Sequence, residues 1–249
     1  MQQGLQEDVV IRMVQAIRCS QPKIGGRKLY FLLQAELNKL DRPAGRDKFF
    51  YILRKAGMLV KKKKKHAKTT DSYHRFHKYK NKLKGRLLTG PNQAWVSDIT
   101  YLRTQRDGFI YLFLQTDAYS RKITGWNVSG SLGIEGAVRA LKMSHRQNPG
   151  STGVIHHSDR GIQYCCKQYV ELMKKYKMEI SMTEENHCYE NAVAERVNGI
   201  LKQEFLLDEN FENKALALKA VKEAIDSYNN LRPHWSLNLC TPQQIHQAA

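Results

Sequence analysis

The order of strand-like and helix-like segments after residue 94 limits the fold more than any other feature of the sequence. Three runs rich in β-branched and aromatic residues follow each other closely, at residues 95–101, 109–117 and 122–128. Helical and strand patterns then alternate over 134–146, 153–157, 163–176, 179–182, 191–205 and 213–229. Hairpin-like strands followed by this alternation predict an α/β fold, a mixed five-stranded sheet with flanking helices on both faces.

The first 60 residues predict a separate, small helical domain. Apolar side chains recur at helical spacing, and Gly25-Gly26 and Arg42-Pro43 interrupt the pattern twice. The third segment, Arg46–Ala56, is followed by Gly57, which suits a helix C-cap. Three short helices with a basic surface favour a helix-turn-helix-like DNA-binding module over residues 1–60. The alternative is a plain helical lid on the next domain.

Positive charge is concentrated in the first 90 residues. They contain 23 basic and 6 acidic side chains, whereas the rest contains 18 and 17, and the whole chain carries +18. The block Lys61–Lys65 cannot enter a packed core, so residues 61–90 are predicted to be a basic linker or arm before a domain at 91–249. Clustered lysines release counterions when they neutralise phosphates, which favours contact with a nucleic-acid backbone. The alternative is a stretch that only increases solubility.

The sequence argues against membrane and disulfide-rich classes of protein. No apolar run approaches the roughly 18–20 residues that span a bilayer, and the N-terminus lacks the apolar core of a signal peptide. The five cysteines form no CxxC pair, which indicates neither a disulfide framework nor a tetrahedral zinc site. We therefore expect a cytoplasmic protein with reduced cysteines.

Three carboxylates lie at informative places in the predicted elements. Asp98 is inside the first strand, where an unpaired charge is costly. Asp159 follows a strand, at the edge where open α/β sheets gather functional groups. Glu195 lies on the predicted helix 191–205. Each has an ordinary explanation: Asp98 caps a turn, Asp159 begins a loop, and Glu195 is solvated on an amphipathic helix.

Taken together, the three acids suit metal-assisted phosphoryl transfer. Magnesium prefers carboxylate oxygens and keeps waters or substrate phosphates in its other positions. Two such ions roughly 3.5–4 Å apart can activate an attacking oxygen and stabilise a leaving oxygen. At about 100° per residue, one face of the last acid's helix is polar. It carries Asn191, Glu195, Asn198 and Lys202.

Several segments resemble the DDE transposases of bacterial insertion sequences, which have a catalytic core like that of retroviral integrases. The resemblance covers about residues 20–245 and is strongest at three motifs. They are PNQAWVSDITY around Asp98, HSDRGIQY around Asp159 and YENAVAE ending at Glu195. The 35 residues between Asp159 and Glu195 are the spacing for which this family is known. The tail YNNLRPH, followed by Thr241-Pro242, also looks like the family's ending.

The resemblance implies a ribonuclease H-like core with Asp98, Asp159 and Glu195 as catalytic metal ligands. It implies magnesium as cofactor, with manganese as a substitute and two ions in the site. The reaction implied is nicking at the ends of a mobile element, then attack of the freed 3′-hydroxyl on another phosphodiester. A homo-oligomer on paired DNA ends and an upstream-frame DNA-binding partner are also implied.

The predicted DNA contacts follow partly from charge and partly from the resemblance. Lys202 is expected near the scissile phosphate by analogy. Around the second acid, His156, His157 and Arg160 are candidate phosphate neighbours, with strand-end packing as the alternative. The DNA-binding set is Lys61, Lys62, Lys63, Lys64, Lys65, Arg160, Asn191 and Lys202. Two other functions stay open, a nuclease of the same fold that does not join ends and a catalytically idle DNA-binding regulator.

Overall fold

A computed structural model describes residues 2–61, 76–184 and 191–248. Chain contacts divide the protein into two compact units, one built mainly from the N-terminal helices and the other from the sheet and its helices. The exact boundaries predicted for the helical domain, the basic arm and the core stay predictions. Most of the lysine block, Lys62–Lys65, lies outside the described residues.

The N-terminal unit contains α1 (Gln2–Ser20), α2 (Gly26–Asn38) and α3 (Arg46–Lys55). Its core is apolar and includes Val10, Val14, Leu29, Leu37 and Phe49. At the end of α3, Gly57 adopts a positive φ of 66°, as its predicted capping role requires. Residues 39–45 join α2 to α3, which is longer than the 3–4-residue turn of an ordinary helix-turn-helix. The three predicted N-terminal helices are confirmed, and the loop between the last two is longer than a helix-turn-helix turn.

The second unit contains one mixed sheet. Its strands are β1 (Ala94–Thr104), β2 (Phe109–Asp117), β3 (Ile123–Ser129), β4 (Ile155–Ser158), β5 (Glu179–Met182) and β6 (Asn210–Phe211). The main order is β3-β2-β1-β4-β5. The first three strands pair antiparallel, and β4 and β5 add in parallel. The predicted five-stranded sheet is therefore confirmed, and the short β6 pairs with the far end of β1 in addition.

The helices of this unit agree with the sequence pattern except at two places. They are α4 (Ile134–Gln147), α5 (Ile162–Cys165), α6 (Lys167–Lys175), α7 (Ala192–Glu204), α8 (Lys214–Asn230) and α9 (Pro242–Gln247). The single helix predicted over 163–176 is divided at Cys166, whose backbone is extended. Helix α9 was not predicted from the sequence, although Thr241 and Gln244 form a capping box and Pro242 begins the helix. No helix in the described ranges is long and apolar enough to cross a membrane.

The core between the sheet and helices α4 and α6 fixes the position of the central strands. Trp95 of β1 and Phe113 of β2 are buried there with Leu141 of α4 and Tyr169 of α6. Gly136 of α4 has no room for a side chain, because an added Cβ would lie 2.2 Å from the Phe113 ring. The close approach of α4 to β2 therefore depends on glycine at this position.

We expect Gly136→Ala to destabilise the sheet unit by about 1–3 kcal/mol, because the buried Phe113 ring must move. Gly199→Ala is the matched control, since its added Cβ on α7 meets nothing within 4 Å. Helix propensity makes that variant more stable by up to about 1 kcal/mol. All tryptophans lie in the sheet unit, so urea unfolding followed by tryptophan fluorescence measures both changes. Equal midpoints for Gly136→Ala and the unmodified chain would contradict the packing argument.

Candidate active site

The pairing of β1 with β4 places the first two predicted acids next to each other. These strands are parallel, and their register pairs Ala94 with Ile155 and Val96 with His157. Asp98 and Asp159 each follow that last pair by two residues. Neighbouring strands lie about 4.8 Å apart. The two acids therefore occupy equivalent positions on adjacent chain segments, at the carboxyl end of β4.

The carboxylate of Asp98 is held by its own strand and by α7. Its Oδ1 accepts a hydrogen bond from the backbone N–H of Ile99 at 2.9 Å, and its Oδ2 accepts one from Nδ2 of Asn198 at 2.7 Å. Asp98 is half-buried. These bonds stabilise a charge that is costly to bury inside a strand, and they place α7 directly beside Asp98.

The polar face predicted for α7 is directed towards β1. Glu195 is half-buried in the first turn of the helix, three residues before Asn198 and therefore on the same side. Lys202 follows on that side, and burial lowers its pKa, while Asp208 and Asp98 act to raise it and Arg103 to lower it. Lys202 thus lies within electrostatic reach of Asp98. Since Val197, Ile200 and Leu201 are buried on the other side, α7 is enclosed on two faces.

Asp159 lies just after β4 and begins a tight turn. Its Oδ1 accepts a hydrogen bond from the backbone N–H of Gly161 at 3.0 Å. Nearby, the pKa of the buried Tyr164 phenol is raised well above its ordinary value by burial, and further by Tyr169, Asp159 and Asp98. Both acids therefore act on the same hydroxyl group, which agrees with their placement on adjacent chain segments.

The side chains do not form a closed three-ligand site. Among residues 2–61, 76–184 and 191–248, no group of three His, Cys, Asp or Glu side chains is placed so that it could hold one metal ion. The structure puts Asp98 beside Asp159, and Glu195 on the helix that contacts Asp98. The donor chemistry suits magnesium, because all three side chains offer hard carboxylate oxygens.

Two of the predicted DNA contacts are occupied within the protein. Asn191 is only 5% exposed, and its Nδ2 donates to the backbone carbonyl of Ser97 at 3.0 Å. Arg160 is half-buried, and its Nε donates to the carbonyl of Thr183 at 2.7 Å. Lys61 is exposed at the end of a described segment. The DNA-binding role of these residues stays a prediction.

Four buried polar side chains form a hydrogen-bonded ring that was not predicted from the sequence. It consists of Ser97, Gln115, His156 and Tyr169, which come from β1, β2, β4 and α6 and are each at most 1% exposed. Burial lowers the pKa of His156 to about 3, with a further contribution from His157. His157 is buried too, with Nδ1 2.8 Å from Oγ of Ser181. Both histidines are therefore packed inside the strand end, which is the alternative to a phosphate contact considered from the sequence.

The burial of His156 makes the stability of the sheet unit depend on pH. Its pKa is lowered from 6.5 to about 3 in the folded protein. Between pH 6.5 and about pH 3, His156 therefore binds a proton in the unfolded chain but not in the folded one. Stability therefore falls as the pH is lowered through this window, by up to about 1.4 kcal/mol per pH unit. We expect His156→Gln to remove this component. Urea midpoints between pH 6.5 and 5 test it, and identical slopes for both proteins would exclude a neutral, buried His156.

Comparisons with known proteins agree with the fold. Two family models, both described as integrase core domain, match residues 89–188 and 176–242. An insertion element IS600 31 kDa protein of Shigella sonnei is 34% identical over 223 residues, covering 87% of this chain and 82% of the relative. Transposase InsF for insertion sequence IS3A of Escherichia coli K12 is 35% identical over 158 residues, covering 63% of this chain. The chain spans about half of InsF, 54% of its length.

Solved structures show the same fold. The HTLV-2 integrase catalytic core domain in complex with magnesium aligns with a TM-score of 0.51 and 20% identity, over 64% of this chain and 98% of that domain. A simian T-cell lymphotropic virus intasome chain aligns with a TM-score of 0.56 and 18% identity, over 90% of this chain and 75% of that one. The sheet unit is therefore a ribonuclease H-like integrase core. The chain belongs to the insertion-element transposases that carry an integrase core domain.

Proposed function

We propose that this transposase catalyses metal-dependent cleavage of DNA at the ends of a mobile element and joins the freed ends to new DNA. The observation that carries the proposal is the placement of Asp98 beside Asp159. In addition, the hydrogen bond from Asn198 to Asp98 holds the helix of Glu195 next to Asp98. Carboxylates from β1, from the segment after β4 and from α7 thus lie near the carboxyl end of β4. Such a site suits phosphoryl transfer without a protein nucleophile.

Asp98, Asp159 and Glu195 would hold magnesium, or manganese in its place, and we propose two ions. When bound, these ions supply activation of the attacking oxygen and stabilisation of the leaving oxygen. Support comes from the donor set, three hard carboxylates. The neighbour with the same fold, HTLV-2 integrase, was solved in complex with magnesium.

The chain's own residues orient the site and its substrate. Asn198 fixes the direction of the Asp98 carboxylate through the bond to Oδ2. Lys202 places a positive charge on the same helix face, where it can contact a phosphate oxygen of the DNA. In the joining step, the 3′-hydroxyl loses its proton to solvent and its oxygen bonds to phosphorus, while the bond from phosphorus to the leaving 3′ oxygen breaks and that oxygen takes up a proton. Lys202 would stabilise the phosphate during this exchange.

DNA binding would depend mainly on the basic N-terminal part of the chain. The helical unit and the block Lys61–Lys65 carry most of the excess positive charge, which suits contacts along a phosphate backbone. We also propose a homo-oligomer on paired element ends, because a neighbour of the same fold is a chain of an intasome. An upstream-frame DNA-binding partner stays a prediction.

We expect Asp98→Asn, Asp159→Asn and Glu195→Gln each to abolish cleavage and joining with magnesium or manganese. Each change removes a negative charge from the site while keeping the shape of the side chain, so salt-sensitive DNA binding is expected to remain. The assay uses labelled element-end DNA and a gel that separates nicked from joined products.

Glu171→Gln is the control for these variants, because Glu171 is an exposed carboxylate on α6, paired loosely with Lys167 at 3.9 Å. We expect this variant to retain full activity. Undiminished joining by any of the three site variants would refute the assignment. An unmodified chain that nicks but never joins supplied 3′-hydroxyl ends would be a nuclease, and one that binds without cutting would be a regulator.

We expect changing Lys61–Lys65 to glutamine to weaken DNA binding to a similar degree for all sequences and to flatten the dependence of affinity on salt. The control changes three exposed lysines of α6 to glutamine, Lys167, Lys174 and Lys175, and so removes three charges where the arm variant removes five. Binding titrations between about 50 and 200 mM salt measure both effects. A change in sequence preference at constant salt dependence would contradict a backbone-contacting arm.

A further inference from the structure

Ser97, the residue before Asp98, is fully buried and has three tertiary hydrogen-bond contacts. The hydroxyl of Ser97 donates to Oε1 of Gln115 at 2.6 Å and lies 2.8 Å from Nε2 of His156. Its backbone carbonyl accepts from Nδ2 of Asn191 at 3.0 Å. Ser97 therefore connects β1 to both neighbouring strands through its side chain and to the start of α7 through its main chain.

The contacts of the Ser97 side chain close into a ring. Nε2 of Gln115 donates to the hydroxyl of Tyr169 at 3.0 Å, and that hydroxyl lies 2.9 Å from Nε2 of His156. An apolar core of the same shape can give as much stability as a buried polar network. What the ring adds is specificity. Its four side chains can make all of these contacts only when the three strands and α6 lie in one relative position. The ring therefore fixes where β1 lies at Ser97.

Two side-chain amides fix α7 against consecutive residues of β1. Asn191 bonds to the carbonyl of Ser97, and Asn198 bonds to the carboxylate of Asp98. Two contacts about two helical turns apart restrict both sliding and rotation of the helix. Glu195 lies between them, four residues after the first and three before the second. These two bonds therefore determine the position of Glu195 along β1.

We propose that Asn191 and the ring around Ser97 are positioning residues, which hold α7 and the peptide before Asp98 in the one register that brings Glu195 to Asp98. This rests on the proposed function of the three acids. It gives Asn191 a role different from the DNA contact predicted from the sequence. It also gives a role to His156, Gln115 and Tyr169, which do not face the site.

The test compares Asn191→Ala and Tyr169→Phe with the full-length unmodified chain. Asn191→Ala removes the amide at α7, and Tyr169→Phe removes one hydroxyl of the ring while keeping the aromatic packing. We expect both to raise the metal concentration for half-maximal cleavage about tenfold or more, as changes to groups that orient metal ligands do. Without DNA, manganese binding should raise the melting temperature. We expect the manganese concentration at half of that rise to increase in both variants by a factor comparable to that for cleavage. DNA affinity and its salt dependence should not change.

Gly136→Ala is the control for a merely structural effect, because it disturbs the packing of α4 against Phe113 and removes none of these hydrogen-bonding groups. It should lower the melting temperature and leave the metal requirement unchanged. A metal requirement that moves equally in this control would overturn the proposal. So would an Asn191→Ala variant with weaker, less salt-dependent DNA binding and an unaltered metal requirement, since Asn191 would then be a DNA contact. If Asn191→Ala does not fold, Tyr169→Phe decides alone.

Failure of the proposed function gives a different result. In that case Asp98→Asn, Asp159→Asn and Glu195→Gln retain cleavage, or the unmodified chain shows no rise in melting temperature with manganese. Failure of the positioning role leaves those controls as expected and affects only the Asn191 and Tyr169 variants. The two proposals are thus tested separately in one set of measurements.

Discussion

The parallel pairing of β1 with β4 is the constraint on which the site depends. It joins strands that are about 60 residues apart in the sequence, and its register makes Asp98 and Asp159 equivalent positions on neighbouring segments. Trp95 of β1 lies buried in the core below α4 and α6, which prevents the strand from sliding without loss of packing. Packing in the apolar core thus determines the positions of Asp98 and Asp159, although neither carboxylate is part of that core.

Helix α7 has an unusual position for an amphipathic helix, because its polar face is buried as well as its apolar one. Asn191 and Asn198 are 5% and 6% exposed, and each donates an amide hydrogen bond to β1. Amides suit this interface, since they satisfy buried acceptors without adding a charge. The charged members of the face, Glu195 and Lys202, remain half-buried. The helix therefore combines neutral, buried amides with charged groups that stay partly exposed.

The sequence predicts those features that depend on local pattern. The long runs of β1 and β2 and the C-cap at Gly57 follow from residue type and spacing, and the resemblance of the motifs to the transposase family predicts the three acids. Features that depend on which segments become neighbours escape it. Ser97 and His156 form a ring only because β4 pairs with β1, and Asn191 resembles any polar residue on a helix until the partner carbonyl is known. The break at Cys166 likewise has no marker in a continuous helical pattern.

Side chains of β1 point alternately to its two faces, and this alternation separates the neutral ring around Ser97 from the carboxylate of Asp98. Successive side chains point to opposite faces, so Ser97 reaches the neutral ring of Gln115, His156 and Tyr169, while Asp98 reaches Asn198 on α7. A register slip of one residue would exchange these faces, burying a carboxylate in the ring and exposing a hydroxyl at the site. Both exchanges are costly, because an unpaired buried charge and unsatisfied ring partners would result together. The ring and the carboxylate therefore enforce the same register from opposite sides of one strand.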